Sequence, residues 1–360
     1  MLKKVLAISI IVAFIATLGL TGAGCKTTAT TTTSAETTKA AETTTTAAAE
    51  TTAAAKKYEI VVVDKIEGIP WFVATAAGFK KASEELGVNA YQVGPAQADP
   101  AQQVKVIEDM INKGVDAILT WPNDSQSVEP AFKKAKERGI LTMTMENPQQ
   151  KEVTWNVEPI DTTIWMQTFA DEAVARMGTD VGEYLILTGG ATVASHNAWA
   201  DILEKYISEK YPNLKEATKR FPTEESQITA HDKTLEYISA YPKLTAIFGI
   251  GSINGPGAAQ AVREKGLQGK IHVISMSLPS DSKQYLEDGS MDLSVLYNVV
   301  DTAKGWIYVA KLTLDGKEIT SGMEIPGLGK VKVEGQNITS SLVLKITKDN
   351  VDQIIKDLGF

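Results

Sequence analysis

The chain is poor in the residues from which active sites and nucleic-acid surfaces are usually built. Its one cysteine is Cys25, so the rest of the chain has no disulfide framework and no thiolate chemistry. The three histidines, His196, His231 and His272, are far apart and lack carboxylates at ligand spacing, which argues against a metal site. Lys and Arg number 36 against 44 Asp and Glu, for a net charge of −8, and a chain without a basic face is a poor nucleic-acid partner. No G-x-x-x-x-G-K-[ST] loop, G-x-S-x-G elbow or H-E-x-x-H pair occurs. The glycines of "GSINGPG" at 251–257 are spaced G-x-x-x-G-x-G, which is not a dinucleotide fingerprint. A hydrolase would need two carboxylates converging on one bond. No catalytic residue, cofactor or metal is expected, and the chain is read as a non-enzyme.

What is present begins with a leader. "MLKK" followed by an apolar run ending in small residues reads as a signal peptide over 1–25. Cys25 directly after "LTGAG" resembles a bacterial lipobox, with Gly22 at the place usually held by Leu, and marks Cys25 for lipidation. The Thr/Ala tract over 26–57 has no large apolar residue, cannot bury a core, and is expected to be a disordered stalk. The localisation implied is the extracytoplasmic face of a bacterial cell membrane, with a lipid anchor.

From 58 onward, apolar runs alternate with amphipathic helices. "YEIVVVD", "VDAILTW", "ILTMTME", "EYLILTGG", "LTAIFGIGS" and "KIHVISMSLP" read as strands, with helices such as "DPAQQVKVIEDMINKG" between them. This alternation predicts an α/β protein of two doubly wound parallel-sheet lobes. The tail, "MDLSVLYNVV" to "SLVLKIT", departs from the rhythm and is expected to pass back between the lobes, giving a hinge. The N-terminal lobe is assigned 58–155 plus about 298–320, and the C-terminal lobe 156–297 plus about 321–360.

Ligands of open parallel sheets bind outside the carboxyl ends of the strands. That rule selects 64–71, 121–124, 146–147, 189–199, 251–254, 277–279 and 297–298. These junctions suit a neutral polyhydroxylated ligand, which needs flat apolar walls and a few fixed polar groups. Trp71 and Trp199 are assigned stacking roles. Lys65, Glu146, Asn147, Ser195, His196, Asn197, Ser252, Asn254 and Asn298 are assigned polar contacts. Each has a structural alternative. Ser195 and Asn197 also suit capping of the following helix, as Asn123 and Asp124 do more strongly. Trp121 and Trp155 suit the sheet end or hinge as well as the cleft, and Trp165 and Trp306 sit in helical patterns typical of core.

The segments "GFKKASEELGV", "QVKVIEDMINKGVDAI", "KKAKERGI", "DKIEGIPWF", "TVASHNAWAD", "GPGAAQAV", "ISMSLPS", "LYNVVDTAKG" and "GLGKVKVEGQNI" together carry a likeness. From about 57 to 360 the chain resembles the ribose/galactose-type solute-binding proteins of bacterial ABC importers (periplasmic binding protein type I), nearest their autoinducer-2 and rhamnose receptor branch. The resemblance implies two α/β lobes joined by a three-segment hinge, in a monomer that closes on a sugar or sugar-like ligand and delivers it to an ABC permease and its ATPase. Its alternative is a sensor that passes the state of autoinducer-2 or a sugar to a membrane signalling receptor. Within that likeness, Lys65 matches the branch's ligand-binding lysine. Glu146 stands for an aspartate, Ser195 and His196 replace an aspartate–glutamine pair, Ile250 and Ser252 replace proline and alanine, and Asn298 stands for another aspartate. The second lobe's contacts are thus rewritten, which is expected to weaken binding of the autoinducer.

Overall fold

Buried β-branched strands flanked by capped helices give the fold its frame. The computed structural model describes residues 57–358, all within the unit Ala55–Phe360. The expectations for the leader, for Cys25 and for all but the last residue of the stalk fall outside the described residues. The chain runs β1 (Glu59–Val63), α1 (Pro70–Leu86), β2 (Asn89–Val93), α2 (Pro100–Lys113), β3 (Ala117–Thr120), α3 (Ser125–Glu137), β4 (Leu141–Met145) and β5 (Trp155–Glu158). A second series follows: α4 (Thr162–Met177), β6 (Gly182–Thr188), α5 (Ala194–Lys210), β7 (Leu214–Glu216), β8 (Phe221–Pro222), α6 (Gln227–Ala240), β9 (Leu244–Gly249), α7 (Asn254–Glu264), β10 (His272–Ser275), α8 (Pro279–Asp288) and β11 (Leu293–Leu296). The tail adds α9 (Val299–Leu314), β12 (Glu324–Ile325), β13 (Gly329–Lys330), β14 (Lys332–Glu334), β15 (Asn337–Thr339), β16 (Leu344–Ile346) and α10 (Val351–Leu358).

Two seven-stranded sheets result. The first has the order β14-β15-β5-β4-β3-β1-β2, and the second β16-β11-β10-β9-β6-β7, with β8 also paired to β6. All pairings are parallel except β14–β15 and β11–β16 within these sheets. Both faces are covered, as parallel sheets require. On β1, Ile60 and Val62 face the α1 side, and Val61 and Val63 pack with Ile107 and Phe132 from α2 and α3. The fold is therefore α/β with two doubly wound lobes, as the sequence predicts.

Helix starts follow local chemistry. Asp99, Asp124, Asp161 and Ser226 each accept a backbone N–H from the first turn of the helix they precede, satisfying donors that would otherwise lack a partner. α9 returns to the first lobe and packs on α1. Their contact depends on Gly78, where a Cβ would meet the Val300 carbonyl oxygen at 2.2 Å.

The chain passes between the sheets three times, at 158–162, 296–299 and 339–344. The strands divide differently from the expected lobe limits. β5 belongs to the first sheet, and β14 and β15, which lie beyond 320, also join it, with β15 parallel to β5 from Asn337↔Asn156 to Thr339↔Glu158. The reason is pairing. β5 would otherwise be an edge with unmet N–H and C=O groups, and the tail supplies the strand that covers it.

Candidate functional site

Every polar side chain of the central cleft sits just past the carboxyl end of a strand. Lys65 follows β1, Trp121 follows β3 and Glu146 follows β4. From the second sheet, Glu225 follows β8, Ser252 follows β9 and Met276 follows β10, while His196 opens α5 after β6. With Ile69, Trp71 and Phe72 these residues line a nearly closed space, of which only about 20 Å³ admits a water molecule. A wider hollow of about 580 Å³ lies between α1 and the start of α8, but it opens to solvent and gathers no buried charge.

Charge is concentrated in the cleft. Lys65 Nζ donates to Glu225 Oε1 at 3.2 Å and stands 3.5 Å from His196 Nε2, joining the two lobes. The loop after β1 is held by Asn123, whose Nδ2 donates to the Lys65 carbonyl at 2.8 Å, and by Gln103, which donates to the Asp64 carbonyl at 3.0 Å. Burial alone would raise the Glu225 carboxyl, but the Lys65 ammonium and the Gly190 N–H outweigh it and hold the pKa below the usual range. Burial, reinforced by Lys65, pushes His196 down to about 3, so the ring is neutral. Its Nδ1 accepts the Gly189 N–H at 3.0 Å, which assigns the ring proton to Nε2.

Glu146 forms the other half. Its carboxylate accepts from the Tyr297 hydroxyl, and burial raises its pKa to about 7 against the opposing pull of Tyr297 and Lys65. Behind it, burial lifts Glu158 to about 8, and one of that residue's oxygens has no partner. The walls are aromatic: Trp71 meets Tyr297 edge-on at 5.7 Å, and Trp121 lies between Phe72 and Trp306 at 5.3 and 4.6 Å. Trp121 Nε1–H is a buried donor without an acceptor.

Backbone conformation marks the same residues. Among the described residues, Glu146, Glu224 and Glu225 are the non-glycine positions in the left-handed region, with φ of 60°, 53° and 54°. A side chain there costs of order 1–3 kcal/mol and persists where the surroundings enforce it, commonly at binding sites. At Glu225 the enforcement is visible. Thr223 N–H donates to the Thr188 carbonyl at 3.0 Å, and its Oγ1, with one hydrogen to give, lies 2.9 Å from the same carbonyl and 2.7 Å from Asn254 Oδ1. Gly189 makes room, since a Cβ on it would meet Glu225 Oε1 at 2.3 Å and His196 Nδ1 at 2.6 Å.

The structure brings Lys65, Trp71, Glu146, His196 and Ser252 together in this cleft. The other expected contacts do not line it. Trp199 is buried behind His196 against Trp165, ring centres 4.9 Å apart, because its helical position points into the core shared by α4 and α5. Asn147 spends its amide on Ser125 and Gln150, and Asn254 spends its own on Leu187, Ile250 and Thr223. Asn197 donates to the Ala191 and Val193 carbonyls, Asn298 caps α9 through the Asp301 N–H, and Ser195 sits half-buried in the first turn of α5. Trp155 lies off the cleft and donates to Thr313 Oγ1 at 2.9 Å, while Trp165 and Trp306 are core. Sequence reasoning missed Glu225 and passed over Tyr297 for its neighbour. The signal for Glu225 was available, because "TEES" follows the strand end "KRFP" and the same carboxyl-end rule selects it.

Among the described residues no group of three or more His, Cys, Asp or Glu could hold a metal ion, and no helix is long and apolar enough to cross a membrane.

Comparison with known proteins places this cleft in context. A family model described as "Periplasmic binding protein domain" matches residues 60–318. The D-allose-binding periplasmic protein of Escherichia coli K12 is 26% identical over 276 residues, covering 74% of this chain and 86% of that protein. The fructose import binding protein FruE of Bifidobacterium longum is 24% identical over 259 residues, covering 70% and 78%. Among solved structures, LsrB from Clostridium saccharobutylicum in complex with AI-2 superposes with a TM-score of 0.76 at 24% identity, covering 82% of this chain and 99% of that one. An ABC transporter solute-binding protein from Clostridium phytofermentas with bound L-rhamnose gives 0.76 at 22%, covering 84% and 100%. The match over most of the folded chain and the shared two-lobed architecture carry one conclusion: the chain belongs to the periplasmic binding protein domain family and is an extracytoplasmic binding protein, not an enzyme.

Proposed function

We propose that this protein is a lipid-anchored solute-binding protein of an ABC importer that closes its two lobes on a sugar or sugar-like ligand and passes it to a permease. The observation that carries this is the cleft's composition. Flat aromatic walls, Trp71 and Trp121, flank buried polar groups contributed by both sheets, so a ligand held there stabilises the closed arrangement. The ligands for which the relatives are named, D-allose and fructose, point the same way. Cys25 would carry the lipid, and the polar tract after it would act as tether.

A thermal-shift screen against D-allose, D-ribose, D-fructose, L-rhamnose, xylitol and autoinducer-2 tests this. A ligand at 100 times its dissociation constant adds about 2.7 kcal/mol. A shift with a nucleoside or amino acid and none with these compounds would overturn the sugar assignment. For the anchor, Cys25→Ser is expected to release the protein from the membrane fraction when expressed in a bacterium.

A further inference from the structure

The contact between Lys65 and His196 is chemically incomplete. His196 Nδ1 already accepts the Gly189 N–H at 3.0 Å, so the neutral ring presents Nε2–H to the cleft. That donor faces the Lys65 ammonium, a second donor, 3.5 Å away. No lone pair lies between them. On the other side of the same ammonium, Glu225 Oε1, on a side chain only 2% exposed, accepts from Lys65 Nζ at 3.2 Å. Two donors and one acceptor thus converge from both lobes, buried and backed by Gly189, where any side chain would displace His196 and Glu225.

A hydroxyl group has the complementary inventory: two lone pairs to accept and one hydrogen to give. An ether or carbonyl oxygen could satisfy Lys65 and His196 but would leave Glu225 without a donor from the ligand. A carboxylate would face Glu225 with like charge and a close desolvated approach. An ammonium would have no lone pair for either donor and would meet Lys65 with like charge. A missing hydroxyl would leave the Lys65–His196 opposition in place.

Resting on the solute-binding function proposed above, we infer that Lys65, His196 and Glu225 form a hydroxyl-reading triad across the cleft. It selects an uncharged polyol or sugar by one specific hydroxyl, with Glu225 as the discriminating residue. The ligand hydroxyl enters the Lys65–Glu225 contact, accepts from Lys65 Nζ and His196 Nε2–H, and donates to Glu225. The interlobe ion pair becomes a hydrogen-bonded bridge through the ligand.

The test is a calorimetric titration of the whole protein with D-allose, D-ribose, D-fructose, L-rhamnose and xylitol, followed by the monodeoxy, monoamino and carboxylate derivatives of whichever binds most tightly. For the wild type, removal of one hydroxyl is expected to cost about 10- to 100-fold in affinity, the range for a hydrogen bond to a charged group. In Glu225→Gln and in His196→Leu the penalty for that same position should fall to within about threefold, while penalties at other positions persist. Each penalty is a ratio between two ligands on one protein, so a variant that is only partly folded still reports it. Retention of every penalty in both variants overturns the triad while leaving the sugar-binding function standing. Tighter binding of the amino or carboxylate derivative at that position overturns the hydroxyl class. Failure of all five parent compounds to bind overturns the sugar-binding function and the triad with it.

Discussion

Lys65 Nζ, carried by the first sheet, stands 3.2 Å from Glu225 Oε1, carried by the second, and both side chains are buried. Removing one member of such a pair strands the other charge, whereas replacing both with apolar groups often costs little. Lys65→Met and Glu225→Leu are each expected to destabilise the protein by about 3–5 kcal/mol, and the double variant by clearly less than their sum. Denaturant unfolding of the four proteins measures the coupling, and strict additivity would show that the pair is not formed in solution.

Trp199 and Trp71 separate packing from binding. Trp199 is 2% exposed and packed on Trp165, so Trp199→Ala is expected to cost about 3–5 kcal/mol of stability. Trp71 lines the cleft, so Trp71→Phe, which keeps an aromatic face but removes part of the ring system, should lower ligand affinity at a stability cost below the about 3–5 kcal/mol of a Trp→Ala change. Unfolding curves and titrations on both variants decide the assignment.

Glu146 has φ of 60° at the end of β4. Glycine removes the steric cost of that conformation, and the loss of the Tyr297 hydrogen bond opposes the gain. Glu146→Gly is therefore expected to leave stability within about 1 kcal/mol of wild type while abolishing ligand binding. A variant that binds normally would remove Glu146 from the site.

Stability should fall as the pH rises from about 4 to about 8. Burial holds Asp64 and Glu158 at about 8 and Glu146 at about 7, each above its ordinary carboxylate value, with Glu67 adding to the rise at Asp64. Between the ordinary and the folded values the native state binds more protons than the unfolded chain, so stability is present at low pH and is lost as pH climbs through about 8. His196, held near 3, and Glu225, held below the usual carboxylate range, act in the opposite sense, and both add stability as the pH rises from about 3. The thermal midpoint is expected to drop between about pH 4 and about pH 8, the window between the ordinary and the folded values of these carboxyls, and to level off above it. Asp64→Asn, which removes a carboxyl whose two oxygens have no partner, should flatten that drop.

Gly189→Ala places a methyl 2.3 Å from Glu225 Oε1 and 2.6 Å from His196 Nδ1, so both must shift. Their displacement by even an ångström misaligns the His196 donor and the Glu225 acceptor, and the affinity for a bound sugar is expected to fall at least about 10-fold, the loss of one hydrogen bond to a charged group. Unchanged titration curves would show that this corner of the cleft does not touch the ligand.

The sequence by itself determined the repeating strand–helix order, because apolar periodicity, aspartate caps and terminal glycines are local signals that each segment carries whole. It also determined where to look for a site, because strand ends are legible and Lys65 and Glu146 stand at them. What it could not decide was which of several polar residues at those ends turn inward. Asn147, Asn197, Asn254 and Asn298 have the right chemistry and lie at or next to strand ends, yet their hydrogen bonds close on nearby backbone or neighbouring side chains, and only packing reveals that. Trp199 and Trp71 look alike in sequence, and the angle of the helix alone sends one into the core. Glu225 joins Lys65 across 160 residues, a pairing fixed by two sheets meeting at their carboxyl ends. No local pattern encodes such a contact, because the energy that holds it comes from burial by parts of the chain distant from both partners.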